Sequence, residues 1–119
     1  MRTIRVIVGI AAMFMVGTLT SFAATLSAAD AKNHIGEQAT VCGQVAGERT
    51  ATGSRGEPTF INLDAAYPDQ IFTILVWGDD RPNVGPLPSE GARVCASGRI
   101  QEYRGVTEIV VRSKAQLSK

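Results

Sequence analysis

From Gln38 to Ser113, apolar residues return at every second position in five short runs, and the stretches between those runs are rich in glycine, proline and aspartate. A period of two marks a strand buried on one face, whereas a helix packed on a core repeats near 3.6. The first run, Gln38–Arg49, alternates Val41, Gly43 and Val45 with Thr40, Cys42 and Gln44. The second, Pro58–Asp64, sets Ile61 and Leu63 against Phe60 and Asn62. In the third, Ile71–Trp77, Phe72, Ile74 and Val76 share one face, and Thr73, Leu75 and Trp77 share the other. The fourth, Ala92–Tyr103, turns Val94, Ala96 and Ile100 inward and Arg93, Cys95, Ser97 and Arg99 outward. The fifth, Thr107–Ser113, turns Ile109 and Val111 inward against Glu108 and Val110. The separators are a polar loop over Thr50–Glu57, the turn Tyr67-Pro68-Asp69, the proline-bearing connection Gly78–Gly91 and a tight hairpin at Tyr103-Arg104-Gly105. Gly98 inside the fourth run predicts a bend or bulge. Five short strands with such a bend predict an all-β fold in which a small barrel buries its own edges.

The N-terminal stretch is of a different kind. Arg2 and Arg5 precede 15 uncharged residues, Val6–Thr20, and Ser21-Phe22-Ala23 then places small residues where a signal peptidase reads. That order predicts a secretory signal over 1–23, cut after Ala23 with Ala29 as the alternative, rather than a membrane anchor, which needs roughly 20 apolar residues. Residues 24–35 read as a small-residue linker and a short helix, Ser27 to Gly36, with Ile35 as its anchor on the core. Residues 36–114 form the domain and 115–119 a polar tail. Two of the 12 Lys and Arg lie in the signal and none of the 11 Asp and Glu, so the mature chain carries 10 basic against 11 acidic residues, a net charge of −1. Any polyanion site must then come from local clustering of arginines. Cys42 and Cys95, the two cysteines of an exported chain, predict a disulfide in a periplasmic or secreted protein.

Catalytic patterns are missing: the sequence holds no Gly-x-Ser-x-Gly, no His-Glu-x-x-His and no Walker-type loop. His34 has no nucleophile to activate, and Asp79-Asp80 before Arg81-Pro82 reads as a turn. A non-enzyme without cofactor or bound metal is expected.

Three segments carry a resemblance. Pro58–Asp64 (Pro-Thr-Phe-Ile-Asn-Leu-Asp), Tyr67–Thr73 (Tyr-Pro-Asp-Gln-Ile-Phe-Thr) and Gly98–Ile109 (Gly-Arg-Ile-Gln-Glu-Tyr-Arg-Gly-Val-Thr-Glu-Ile) resemble the OB-fold nucleic-acid-binding superfamily. The likeness is to small exported bacterial OB-fold domains, some attached to extracellular nucleases, and to the anticodon-binding domains of some aminoacyl-tRNA synthetases. It implies a five-stranded Greek-key barrel over about Gly36–Ser113. In such a barrel the first and fourth strands are antiparallel neighbours, which makes Cys42–Cys95 a cross-strand staple. The resemblance also implies a binding face on the second and third strands, carrying Phe60, Asn62, Thr73 and Trp77. Phe60 stacks a base, Tyr103 is a second stacking residue, and Arg49, Arg55 and Arg104 rim the site against phosphates. The expected partner is single-stranded nucleic acid or an oligonucleotide. The alternative is a cell-envelope protein held on the same barrel face or on a strand edge.

Overall fold

Hydrogen bonding between the alternating runs builds one eight-stranded sheet in a computed structural model that describes residues 24–119 and Gly9. The signal sequence expected over 1–23 lies, Gly9 apart, outside the described residues. The strands are β1 (Ala24–Ser27), β2 (Gln38–Thr50), β3 (Thr59–Leu63), β4 (Phe72–Val76), β5 (Arg93–Arg99), β6 (Gln101–Tyr103), β7 (Val106–Val110) and β8 (Leu117–Ser118). Pairing follows the order β6-β7-β4-β3-β2-β5-β8, with β1 added to β2, and the path does not close on itself. β2, β3 and β4 form an antiparallel meander, β4 pairs parallel with β7, and β5 pairs antiparallel with β2. One helical turn, α1 (Arg81–Val84), interrupts the β4–β5 connection and buries Val84.

The alternation settles which side chains make the core. Val41, Val45, Ile61, Leu63, Phe72, Ile74, Val76, Val94, Ala96, Ile100, Ile109 and Val111 all point inward and are buried. Each large aliphatic or aromatic side chain so buried contributes about 1.5–3 kcal/mol. On the outer side of the β2–β5 pair, Thr40 and Ser97 are directly opposed and share a 2.7 Å hydrogen bond. Two residues on, Cys42 opposes Cys95 with Cα atoms 4.1 Å apart, and the two are joined by a disulfide.

Several local expectations change. The linker is partly a strand: Ala24–Ser27 runs parallel to β2 in register with Ala39–Cys42. The expected helix is a single 3₁₀ turn, Asp30–Asn33. The Ser27 hydroxyl accepts the Asp30 N–H at 3.2 Å, and Ala28, before the turn, and Ala31, within it, are buried in the core. Ile35 is 46% exposed and anchors nothing. Gly98 sits in regular register opposite Ala39; its lack of a side chain serves a close approach, since a Cβ there would lie 2.9 Å from Ile109 Cγ2. The register break falls instead in β2, between Val45 and Gly47. The fourth run is two strands, β5 and β6, divided at Ile100, whose N–H and C=O bond to Glu37 and Gly36 instead of to a strand.

The expected tail is also structured. Lys114–Gln116 forms a 3₁₀ turn closed by a capping box between Ser113 and Gln116, and β8 pairs with β5 at Cys95–Ala96. Gln116 accepts the N–H groups of Arg112 and Ser113 and donates to the carbonyls of Ser97 and Val110, linking β5 to the end of β7.

Candidate nucleic-acid interface

The side of β3, β4, β6 and β7 turned away from the core carries two cross-strand rows set by register. One row runs Arg49–Phe60–Leu75–Val110. The other runs Asn62–Thr73–Glu108–Gln101. Directly opposed side chains on a sheet face lie within contact distance, so each row acts as a unit. The first row is an apolar strip ended by a cation; the second is wholly polar.

Two open clefts lie over these rows, of about 400 and 550 Å³. They share Arg49, Phe60, Tyr103, Arg104 and Glu108, which makes them one groove. The Asn62 end adds Tyr67, Gln70 and Thr73, and the opposite end adds Arg55, Trp77 and Arg112. All eight residues nominated from the sequence, Arg49, Arg55, Phe60, Asn62, Thr73, Trp77, Tyr103 and Arg104, therefore line one groove.

Their exposure differs. Tyr103 is 57% exposed and Phe60 half-buried, whereas Asn62 and Thr73 are buried in the floor. That burial follows from position: β4 is a central strand, so Thr73 is flanked by Asn62 on one side and Glu108 on the other. The Thr73 hydroxyl donates to Asn62 Oδ1 at 3.1 Å. Trp77 has one end of its indole against Gly56, where a Cβ would lie 2.9 Å from Trp77 Cε3. The Gly78 N–H donates to the Gly56 carbonyl at 2.9 Å, and Arg81 pairs with Glu57 at 3.3 Å, so the β2–β3 loop is folded over this corner.

Cations and rings are interleaved. The Arg49 guanidinium lies 5.7 Å from the Phe60 ring centre and 5.9 Å from that of Tyr67, both within cation–π range. The Arg104 guanidinium lies 5.2 Å from the Tyr103 ring. Arg104 and Gly105 both have positive φ, +50° and +80°, as a two-residue hairpin joining right-twisted strands requires. This turn places Arg104 and Tyr103 together at the groove's rim. Four arginines, Arg49, Arg55, Arg104 and Arg112, line the groove against one carboxylate, Glu108.

Tyr67, Gln70, Glu108 and Arg112 were not nominated from the sequence. Tyr67 and Gln70 flank a Pro-Asp pair and read as turn residues, although Tyr67 is 71% exposed over the groove. Glu108 is on the outward phase of its strand yet buried, and burial pushes its carboxyl above the usual glutamate range, an effect partly offset by the Gln101 amide donating to it at 2.7 Å.

Comparison with known proteins yields no family model that matches this chain and no curated protein that matches it significantly.

Proposed function

We propose that this chain is an exported OB-fold module that binds single-stranded nucleic acid or oligonucleotides without chemistry. The observation that carries the reading is the clustering of four arginines with Phe60, Tyr103 and Trp77 in one groove, in a chain whose residues 24–119 have a net charge of −1. Scattered surface charge does not produce such a cluster, and cations beside exposed rings suit a ligand that alternates phosphates with flat bases. Support for the OB barrel comes from strand order. The meander β2-β3-β4, the parallel β4–β7 pair, and β5 and β6 as two halves of one run from 93 to 103 are compatible with the connections of a five-stranded Greek key. Export is supported by the order of residues over 1–23 and by the Cys42–Cys95 disulfide. No helix among the described residues is long and apolar enough to cross a membrane.

The envelope-protein alternative draws on the absence of an overall basic excess and on β6, a short, exposed strand at one end of the pairing path. Titration of labelled single-stranded DNA and RNA with the oxidised protein, followed by fluorescence anisotropy, separates the two. Saturable binding weakened about tenfold or more in Phe60→Ala is expected for an aromatic that stacks a base. No binding at low salt would remove the oligonucleotide reading and leave the protein partner.

A further inference from the structure

The polar row of the groove holds more hydrogen-bonding capacity than the fold uses. Asn62 spends its carbonyl on the Thr73 hydroxyl, and its amide donors meet no acceptor among the described residues. Glu108 spends Oε1 on the Gln101 amide, and Oε2 receives no donor among them. Gln70 Oε1 is buried with no partner at all, the one such side-chain atom among the described residues. Gln70, Asn62 and Glu108 line the same cleft, beside Phe60 and Tyr103. A buried acceptor without a donor costs free energy, and a ligand that brings one recovers it.

We propose, resting on the oligonucleotide reading above, that this end of the groove is a base-reading subsite selective for guanine. The unspent groups are two acceptors, Gln70 Oε1 and Glu108 Oε2, and one donor, the Asn62 amide. The Watson–Crick edge of guanine offers two adjacent donors, N1–H and the N2 amino group, and one acceptor, O6. Thymine and uracil offer one donor between two acceptors; adenine offers one amino donor beside a ring nitrogen, and cytosine adds a second acceptor. On one Watson–Crick edge, only guanine sets donors on two separate atoms, one for each acceptor, beside an acceptor for the amide. Gln70 stands in the β3–β4 connection, outside any strand, so its side chain can swing toward the base without loss of a hydrogen bond at Oε1. Stacking on Phe60 and Tyr103 serves every base and sets affinity, while the polar row sets the preference.

The test compares strands of about 12 nucleotides, a length within the reach of one such domain, all thymine or with one central guanine, adenine or cytosine. Binding to the oxidised protein is read by anisotropy beside Gln70→Leu, whose melting temperature is checked. The expected result is binding about tenfold tighter for the guanine strand, a preference that Gln70→Leu loses while still binding the thymine strand. Competition by free guanosine monophosphate over uridine monophosphate gives the same answer without a variant. Equal affinity for all four strands overturns guanine selection and leaves oligonucleotide binding standing; a preference that survives in Gln70→Leu also overturns it. No binding of any strand overturns both.

Discussion

Glu108 is the residue on which the groove's electrostatics turn. Its carboxyl is held by the Gln101 amide in a groove that Arg49 and Arg104 also line, and burial raises its pKa above the usual value of 4.5. With the folded pKa above the unfolded one, the folded protein holds more protons than the unfolded chain between the two values. Stability therefore falls as pH rises through that window from about 4.5 upward, and levels off above the folded pKa. Glu48, also raised by burial, acts in the same direction. Urea unfolding across this pH range is expected to show Glu108→Gln gaining stability relative to the parent as pH rises to neutrality. Neutralising Glu108 also removes the groove's one carboxylate, so affinity for a polyanion should rise as pH falls through the same window; anisotropy at a series of pH values at fixed salt checks it. At the opposite end, Gly56→Ala forces a Cβ against Trp77 on a residue with φ +77°, and displaces that ring. Tryptophan emission should shift and the melting temperature fall, in keeping with a cost of about 1 kcal/mol or more for a side chain at such a φ.

At the scale of elements, two cross-links reinforce the sheet. The disulfide closes a separation of 53 residues between β2 and β5, which in the chain-entropy account stabilises by about 4 kcal/mol. Unfolding of Cys42→Ala/Cys95→Ala against the oxidised parent is expected to show a loss of about that size, larger than any single groove substitution. Gln116 is the second link, with four hydrogen bonds between the C-terminal turn, β5 and the end of β7. Gln116→Ala should cost on the order of 1–3 kcal/mol, because it removes the donor of two part-buried carbonyls, Ser97 and Val110. The five principal strands and their inward faces were legible because alternation reports burial directly. β1 and β8 were not: four residues holding only Leu26 as a large apolar side chain, and two residues at the end of a polar stretch, carry no period to read. The break at Ile100 was hidden too, since that residue stays inward and keeps the alternation while its backbone leaves the ladder.

At the scale of the whole molecule, charge placement matters more than charge total. Residues 24–119 are close to neutral overall, yet the groove gathers Arg49, Arg55, Arg104 and Arg112 over a strip of rings. Composition alone argued against a polyanion ligand, while the resemblance to OB-fold domains, applied to the strand phases of Phe60, Asn62, Thr73 and Trp77, nominated one face. The resemblance already set Arg49, Arg55 and Arg104 on one rim; what it did not give was Arg112, which joins them from beyond β7 through the β3-β4-β7 pairing. Gln70 and Glu108 escaped for a related reason, since a turn residue and an outward strand position look solvated until neighbouring strands enclose them.

The most direct measurement is the affinity of the oxidised protein for a labelled single strand as a function of salt. With the groove's four arginines meeting phosphates, log K should fall against log salt with a slope of about −3, and Arg104→Ala should make the slope shallower by about 0.7. Absence of binding at low salt, or an affinity indifferent to salt, would contradict the account.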